Sequence, residues 1–124
     1  MDNSSGAAGE RAAAEYLGKK GYEIVARNYR SRFGEIDLIA RGGGCLVFVE
    51  VKTRKPGAKV GPLEAVTPAK RRRIVKTALV YLSGPNGAAP GLQPRFDVVA
   101  VAFSGDGAVS VRQIENAFGS EGLF

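Results

Sequence analysis

Residues 34–54 have the sequence GEIDLIARGGGCLVFVEVKTR, which predicts the centre of a β-sheet. Residues 35–41 are predicted to form a strand. The apolar run at residues 45–52 predicts a second strand that is covered on both faces. The three glycines at 42–44 predict a hairpin connection, because glycine tolerates the positive φ angles that tight turns need. We therefore expect two antiparallel neighbours, the second of them central in a sheet.

The ends of these strands that lie far from the glycines carry charged residues. Side chains alternate between the two faces of a strand, so Glu50 and Lys52 share one face of the later strand. Asp37 lies on the earlier strand. When positions are counted back from the glycine turn, Asp37 and Glu50 can come level with each other. We therefore expect two carboxylates and one amine at this end of the hairpin.

Two adjacent carboxylates repel each other, and both stay ionised if a divalent cation sits between them. Oxygen ligands, in a chain without histidine, favour a hard cation such as Mg²⁺ or Mn²⁺. Such a cation activates water and polarises a phosphoryl oxygen, and a lysine beside it can orient the water or stabilise charge on the phosphate. These groups suit phosphodiester hydrolysis. The alternative is an exposed cross-strand pair at a strand end, and spacing alone does not decide between the two.

A third acidic residue lies on a predicted helix at residues 9–20. Glu10 shares the inward face of this helix with Ala13, Ala14 and Leu17, which are spaced at i+3, i+4 and i+7. Glu10 could therefore serve as a third metal ligand or hold a metal-bound water. The alternative is a solvated residue at a fraying helix end.

The remaining elements complete an α-β-β-β-α-β-β order. Residues 22–30 and 96–103 are predicted strands, and residues 109–114 are a candidate short edge strand. A second helix, at residues 68–82, has Thr67 as its cap and proline in its first turn. This order predicts an α/β protein with a central mixed sheet flanked by helices. Asp97, inside an apolar strand, is expected to have a structural role, with a basic residue of the second helix as one candidate partner; an approach to the charged site is the alternative.

The net charge of +6 is concentrated in the middle of the chain. Residues 27–76 hold thirteen Lys and Arg against four acidic residues, a local net charge of +9. Such a field favours a polyanion, and nucleic acid, with DNA preferred, is the predicted partner; a solvated basic surface is the alternative. Lys70, in the first turn of the second helix, could also point toward the charged strand end. The candidate nucleic-acid contacts are Arg27, Arg30, Arg32, Arg54, Lys70, Arg72 and Arg73.

The sequence also predicts where the protein acts. The N-terminal residues lack the basic and apolar segments of a signal peptide. No apolar run reaches the roughly 18–20 residues that a membrane span needs. We therefore expect a soluble, cytoplasmic protein without a membrane partner. Residues 1–8 are predicted to be a flexible N-terminus, residues 9–118 one domain, and residues 119–124 a tail.

Three motifs carry a family resemblance: GEIDLIA at 34–40, LVFVEVKTR at 46–54 and EAVTPAKRRRI at 64–74. With their flanking segments, they resemble the YraN family of bacterial proteins over about residues 9–118. That family is similar to the archaeal Holliday-junction resolvases and belongs to the PD-(D/E)xK nuclease superfamily. The resemblance implies a restriction-endonuclease-like fold, a Mg²⁺ site and phosphodiester cleavage.

The resemblance also implies roles for individual residues. Asp37 matches the metal-binding Asp, and Glu50 and Lys52 match the Glu-x-Lys motif. Glu10 matches the acidic residue of the first helix, and Val51 lies where a backbone carbonyl often ligates the metal. Ile36 departs from the pattern, since the superfamily has proline at that position.

The expected function is a Mg²⁺-dependent endonuclease that acts on DNA, with branched or Holliday-junction DNA as a candidate substrate. Symmetric cleavage of a junction needs two sites, which would suit a homodimer. An inactive nucleic-acid-binding module that acts through partners is the alternative, because fold does not imply function. A third interpretation is a scaffold that binds other proteins.

Overall fold

A five-stranded sheet with one helix on each face forms the protein, in a computed structural model that describes residues 4–55, 60–85 and 91–119. The α-β-β-β-α-β-β order is the predicted one. The elements are α1 (Ser4–Lys19), β1 (Glu23–Ser31), β2 (Gly34–Gly42), β3 (Cys45–Arg54), α2 (Pro68–Ser83), β4 (Gln93–Phe103) and β5 (Val109–Phe118).

The strands lie in the order β1-β2-β3-β4-β5. β3 and β4 are parallel, and the other neighbouring pairs are antiparallel, so the sheet is mixed. α2 separates β3 from β4 in the chain, because a parallel pair needs a crossover connection. The predicted α/β class is confirmed, and the architecture is compatible with a restriction-endonuclease-like fold.

β3 is the central strand, and its two faces belong to two different core clusters. Phe48 packs with Ile74 of α2 on one face. Val47 and Val49 pack with Leu17 of α1 on the other. Full burial of one such side chain contributes about 1.5–3 kcal/mol, which explains why this strand is apolar on both faces.

Several elements extend beyond their predicted ends. α1 begins at Ser4, inside the segment predicted to be flexible. β5 continues to Phe118, because that ring stacks on Phe96 with a centroid distance of 5.3 Å. β4 begins at Gln93, where the parallel pairing with Cys45 starts. Capping of α2 is as predicted, since the Thr67 side chain accepts a hydrogen bond from the Lys70 N–H.

Neither of the two helices is both long and apolar enough to cross a membrane, within the part of the chain that the structure describes.

Candidate functional site

Asp37 and Glu50 meet where β2 and β3 separate. The antiparallel backbone pairing ends at Leu38 and Val49, and the same register would place Asp37 opposite Glu50. Beyond this point the two strands are linked by the Asp37 side chain, whose Oδ2 accepts a hydrogen bond of 2.7 Å from the Val51 N–H. The two carboxyl groups lie close enough to interact directly. Their approach is the one that counting from the glycine turn predicts.

Burial and the Glu50 carboxylate raise the pKa of Asp37 to about 7. The hydrogen bond from Val51 acts in the opposite direction, and the charge of Glu10 adds to the increase. Lys70 interacts with the Asp37 charge, but its amine pairs with Glu50, so this positive charge does not offset burial and the acidic neighbours. A hard divalent cation with oxygen ligands would supply further positive charge, so the donor atoms of this pair fit Mg²⁺ or Mn²⁺.

Two lysines from different elements hold Glu50, which is 4% exposed. The Nζ of Lys52 lies 3.3 Å from Glu50 Oε2, and the Nζ of Lys70 lies 2.7 Å from the same oxygen. Burial lowers the pKa of Lys70, and the hydrogen bond and ion pair with Glu50 raise it. The raising effects together are larger, so the pKa of Lys70 lies above its usual value. Glu50 therefore already has two ammonium groups as counter-charges.

Lys70 is the residue whose role the sequence left open. Charge alone placed it among the phosphate contacts, and its position in the first turn of α2 pointed to the strand end. The structure brings its amine to Glu50, with the backbone of that turn held by the Thr67 cap. Lys70 therefore belongs to the same cluster as Asp37, Glu50 and Lys52.

Glu10 lies near this cluster without completing it. Its Oε1 accepts a hydrogen bond of 2.9 Å from Asn28, a β1 residue with a φ of 51°. Within residues 4–55, 60–85 and 91–119, no three His, Cys, Asp or Glu side chains are grouped so that they could hold a metal ion. The structure therefore joins two acidic residues directly and leaves Glu10 at a longer range. A role for the Val51 carbonyl as a ligand stays a prediction.

The seven candidate nucleic-acid contacts are spread over several elements. Arg30 is exposed and pairs with Glu35 at 2.9 Å. Arg32 is exposed and lies over the Phe33 ring, 4.9 Å from its centroid. Arg54 is half-buried and lines a cavity, and Lys70 contacts Glu50. The exposed members without a described ion pair are Arg27, Arg32, Arg72 and Arg73.

α1 approaches β3 closely next to Glu10. Gly9 is buried, and a Cβ atom at this position would lie 2.0 Å from Thr53 Oγ1. Gly9→Ala should therefore displace the start of α1 or the Thr53 side chain, and should lower the free energy of unfolding by roughly 1–3 kcal/mol. Urea denaturation measures this change.

Gly18→Ala is the matched control in the same helix. A Cβ at Gly18 would meet nothing within 4 Å. This variant should stabilise the protein by about 0.5–1 kcal/mol, because alanine favours the helix. Adding Thr53→Ala should recover most of the loss in Gly9→Ala, and equal stabilities of the two glycine variants would contradict the close contact.

The raised pKa of Asp37 predicts a pH-dependent stability difference between the wild type and Asp37→Asn. The folded-state pKa of about 7 lies above the unfolded value, so the folded protein binds more protons between them. The stability that this carboxyl contributes is therefore complete at acidic pH and is lost as the pH rises through 7. Each pKa unit corresponds to about 1.4 kcal/mol. The free energy of unfolding of Asp37→Asn, relative to that of the wild type, should therefore be on the order of 2–4 kcal/mol higher at pH 8 than at acidic pH.

Urea denaturation in EDTA at pH 5, 6, 7 and 8 measures this difference. Asp106→Asn is the control, because hydrogen bonds from Ser104 and Ala108 lower the pKa of this exposed carboxyl. Its stability difference from the wild type should not change between pH 5 and pH 8. A constant difference for Asp37→Asn over the same range would contradict the raised pKa.

Comparisons with known proteins place this sequence among bacterial relatives. Residues 9–101 match the model of "Uncharacterised protein family UPF0102". The chain is 54% identical to a UPF0102 protein of Symbiobacterium thermophilum over 119 residues, which cover 95% of this chain and 98% of the relative. It is 46% identical to a UPF0102 protein of Anaeromyxobacter dehalogenans, with coverage of 94% and 85%.

Among solved structures, the chain is similar to Pyrococcus furiosus SfsA in complex with Ca²⁺. The TM-score is 0.42 and the sequence identity is 15%, over 90% of this chain and 62% of that one. A similarity at this level does not identify a function.

Proposed function

The chain belongs to the uncharacterised protein family UPF0102, and we propose that it is a nuclease that hydrolyses phosphodiester bonds of DNA with Mg²⁺ or Mn²⁺. The observation that carries the proposal is the meeting of Asp37 and Glu50 at the end of the β2–β3 pairing, with Lys52 beside them. Branched or junction DNA is the candidate substrate, and symmetric cleavage of it would require two copies of the chain.

In this proposal, Asp37 and Glu50 hold the cation, with Glu10 and the Val51 carbonyl as further candidate ligands. The bound cation would lower the pKa of a water molecule and polarise the phosphoryl oxygen. The buried position of Glu50 favours the proposal, because a water-poor site strengthens every charge interaction within it.

Lys52 is the residue that we assign to the chemical step. Its side chain is half-buried, on the same strand as Glu50 and two positions further on, with Nζ 3.3 Å from the carboxylate. An amine held there can orient the attacking water or stabilise negative charge on the phosphate. Lys70, from helix α2, holds Glu50 in place and adds positive charge toward a bound phosphate.

Two features support the alternative, a DNA-binding module that does not cleave. Glu50 is already paired with two amines, at 2.7 and 3.3 Å. The described acidic side chains also do not form a three-ligand group. A protein of this kind would bind DNA in a salt-sensitive way, and Asp37→Asn would not change its binding.

The test is incubation of the purified protein with labelled linear, flapped and four-way DNA in Mg²⁺ or Mn²⁺. We expect cleavage of at least one substrate, and we expect EDTA and Asp37→Ala to abolish it. Asp106→Ala, which removes an exposed carboxylate on a turn, should cleave at the wild-type rate.

Three other outcomes would reject the nuclease. Salt-sensitive DNA binding without cleavage would support the alternative. Cleavage that survives Asp37→Ala would point to a contaminating nuclease. No affinity for DNA at low salt would leave only the scaffold interpretation.

A further inference from the structure

A cavity of about 280 Å³ lies beside the candidate site, at the carboxyl ends of the parallel strands β3 and β4. Ala100 and Ala102 of β4 form part of its lining, with Pro62 on another side. Small side chains at these two positions leave the sheet surface open to an approaching ligand. The cavity is therefore a concave, shallow surface on the sheet.

Two arginines flank the alanines from the neighbouring strands. Arg54 of β3 pairs with Ala102, and Arg112 of β5 pairs with Ala100. Residues that pair across a ladder point to the same face of a sheet, so both arginines share the face of the two alanines. Both line the cavity, as does Lys55.

The two arginines of this cavity are not paired with acidic side chains. None of the described lining residues is Asp or Glu, and the Glu64 carboxylate lies against Gly61 in the lining. Among the residues that the structure describes, neither Arg54 nor Arg112 forms a salt bridge. The guanidinium groups therefore remain available to an external anion.

The register connects this cavity to the candidate catalytic lysine. Lys52 pairs with Ala100, which in turn pairs with Arg112, so the three residues form a row across β3, β4 and β5. Neighbouring strands are about 4.8 Å apart, which separates the backbones of Lys52 and Arg112 by roughly 10 Å. Lys52 and Arg54, two positions apart, also share a face of β3.

We propose that Arg54 and Arg112 bind a backbone phosphate of the cleaved DNA strand. This phosphate lies next to the phosphate at which the strand is cleaved. The inference rests on the proposed function and extends it, because it assigns the path of the substrate backbone from Lys52 over the two alanines. Guanidinium groups suit this role, since their planar donors form paired hydrogen bonds with phosphate oxygens. Arg112 was not among the sequence candidates, because it lies outside the basic middle of the chain.

The test measures binding of a fluorescein-labelled 20-base-pair DNA duplex by anisotropy, in EDTA and at several salt concentrations. Arg54→Ala and Arg112→Ala should each weaken binding about three- to tenfold, and each should reduce the slope of log affinity against log salt by about one. Arg112→Lys should keep most of the slope, because it keeps the charge.

Arg41→Ala is the matched control. Arg41 is an exposed arginine at the opposite end of the hairpin, where it pairs with Glu23, and its removal changes the net charge by the same amount. The Arg41→Ala protein should bind DNA with the same slope of log affinity against log salt as the wild type. Thermal unfolding of each variant confirms that it is folded.

The result separates this inference from the proposed function. If Arg54→Ala and Arg112→Ala bind with the same slope as Arg41→Ala, the phosphate site is wrong, even if the wild type cleaves DNA. If the slopes fall as expected and the wild type does not cleave, the phosphate site stands and the nuclease is wrong. A wild type that binds no duplex at low salt would overturn the phosphate site, whereas the nuclease is tested separately by cleavage of the linear, flapped and four-way substrates.

Discussion

Lys52→Met should lower the rate of DNA cleavage by about 10²–10⁴-fold, while DNA binding changes little. Methionine keeps the apolar stem of the side chain and removes the amine that lies 3.3 Å from Glu50. Because the proposed role of this amine is to stabilise the transition state, the loss should appear in kcat rather than in KM. Single-turnover kinetics with saturating protein measure the effect.

Lys19→Met is the control for this experiment. Lys19 lies on α1 and is exposed. Among the described acidic residues it pairs only with Glu15, on the preceding turn of the same helix. The Lys19→Met protein should cleave DNA at the wild-type rate. A Lys52→Met protein with wild-type kcat, or with a change confined to KM, would show that this lysine binds substrate without taking part in the chemical step.

Asp97→Ala should lower the free energy of unfolding by about 3–5 kcal/mol, the range for removing one partner of a buried ion pair. Asp97 is fully buried and accepts two hydrogen bonds of 2.9 Å from Arg95. It also accepts hydrogen bonds from the Gln113 side chain and from the Asn116 N–H, at 2.9 and 3.0 Å. Its removal would leave the Arg95 guanidinium without its main partner.

Asp106→Ala is the matched control, because it removes a carboxylate that is exposed to solvent. Urea denaturation should give a change several times smaller than that of Asp97→Ala. If the two variants lose similar stability, the buried network does not hold β4 and β5 together as we infer.

This network corrects one expectation. Asp97 was expected to have a structural role, and a basic residue of the second helix was one candidate partner. Its partner is instead Arg95, two positions earlier on the same strand, and Arg95 also donates to the Tyr22 hydroxyl at 2.7 Å. The network therefore links β4 to β5 and to the residue that precedes β1.

The β2–β3 hairpin could be predicted because its determinants are local. Gly42, Gly43 and Gly44 fix where the chain turns, and the position of the turn fixes the pairing register of the two strands. The alternation of side chains along each strand then determines which of them lie opposite each other on one face. The predicted approach of Asp37 and Glu50 needed only this counting. The two apolar faces of residues 45–52 likewise placed β3 in the centre of the sheet.

Features that depend on distant contacts were not predictable from local patterns. The parallel pairing of β3 with β4 joins segments that lie about fifty residues apart. Lys70 reaches Glu50 only because α2 packs against this face of the sheet. The positive φ of Asn28, which holds Glu10, has no signal beyond the tolerance of asparagine for that conformation.

Asp37 and Glu50 together should bind a hard divalent cation. Isothermal titration calorimetry of Mg²⁺ or Mn²⁺ into the purified protein at pH 8, without DNA, measures this binding. We predict saturable binding to the wild type, and none to a folded Asp37→Asn protein. Equal binding to both proteins, or no binding to the wild type, would contradict a cation site at these two carboxylates.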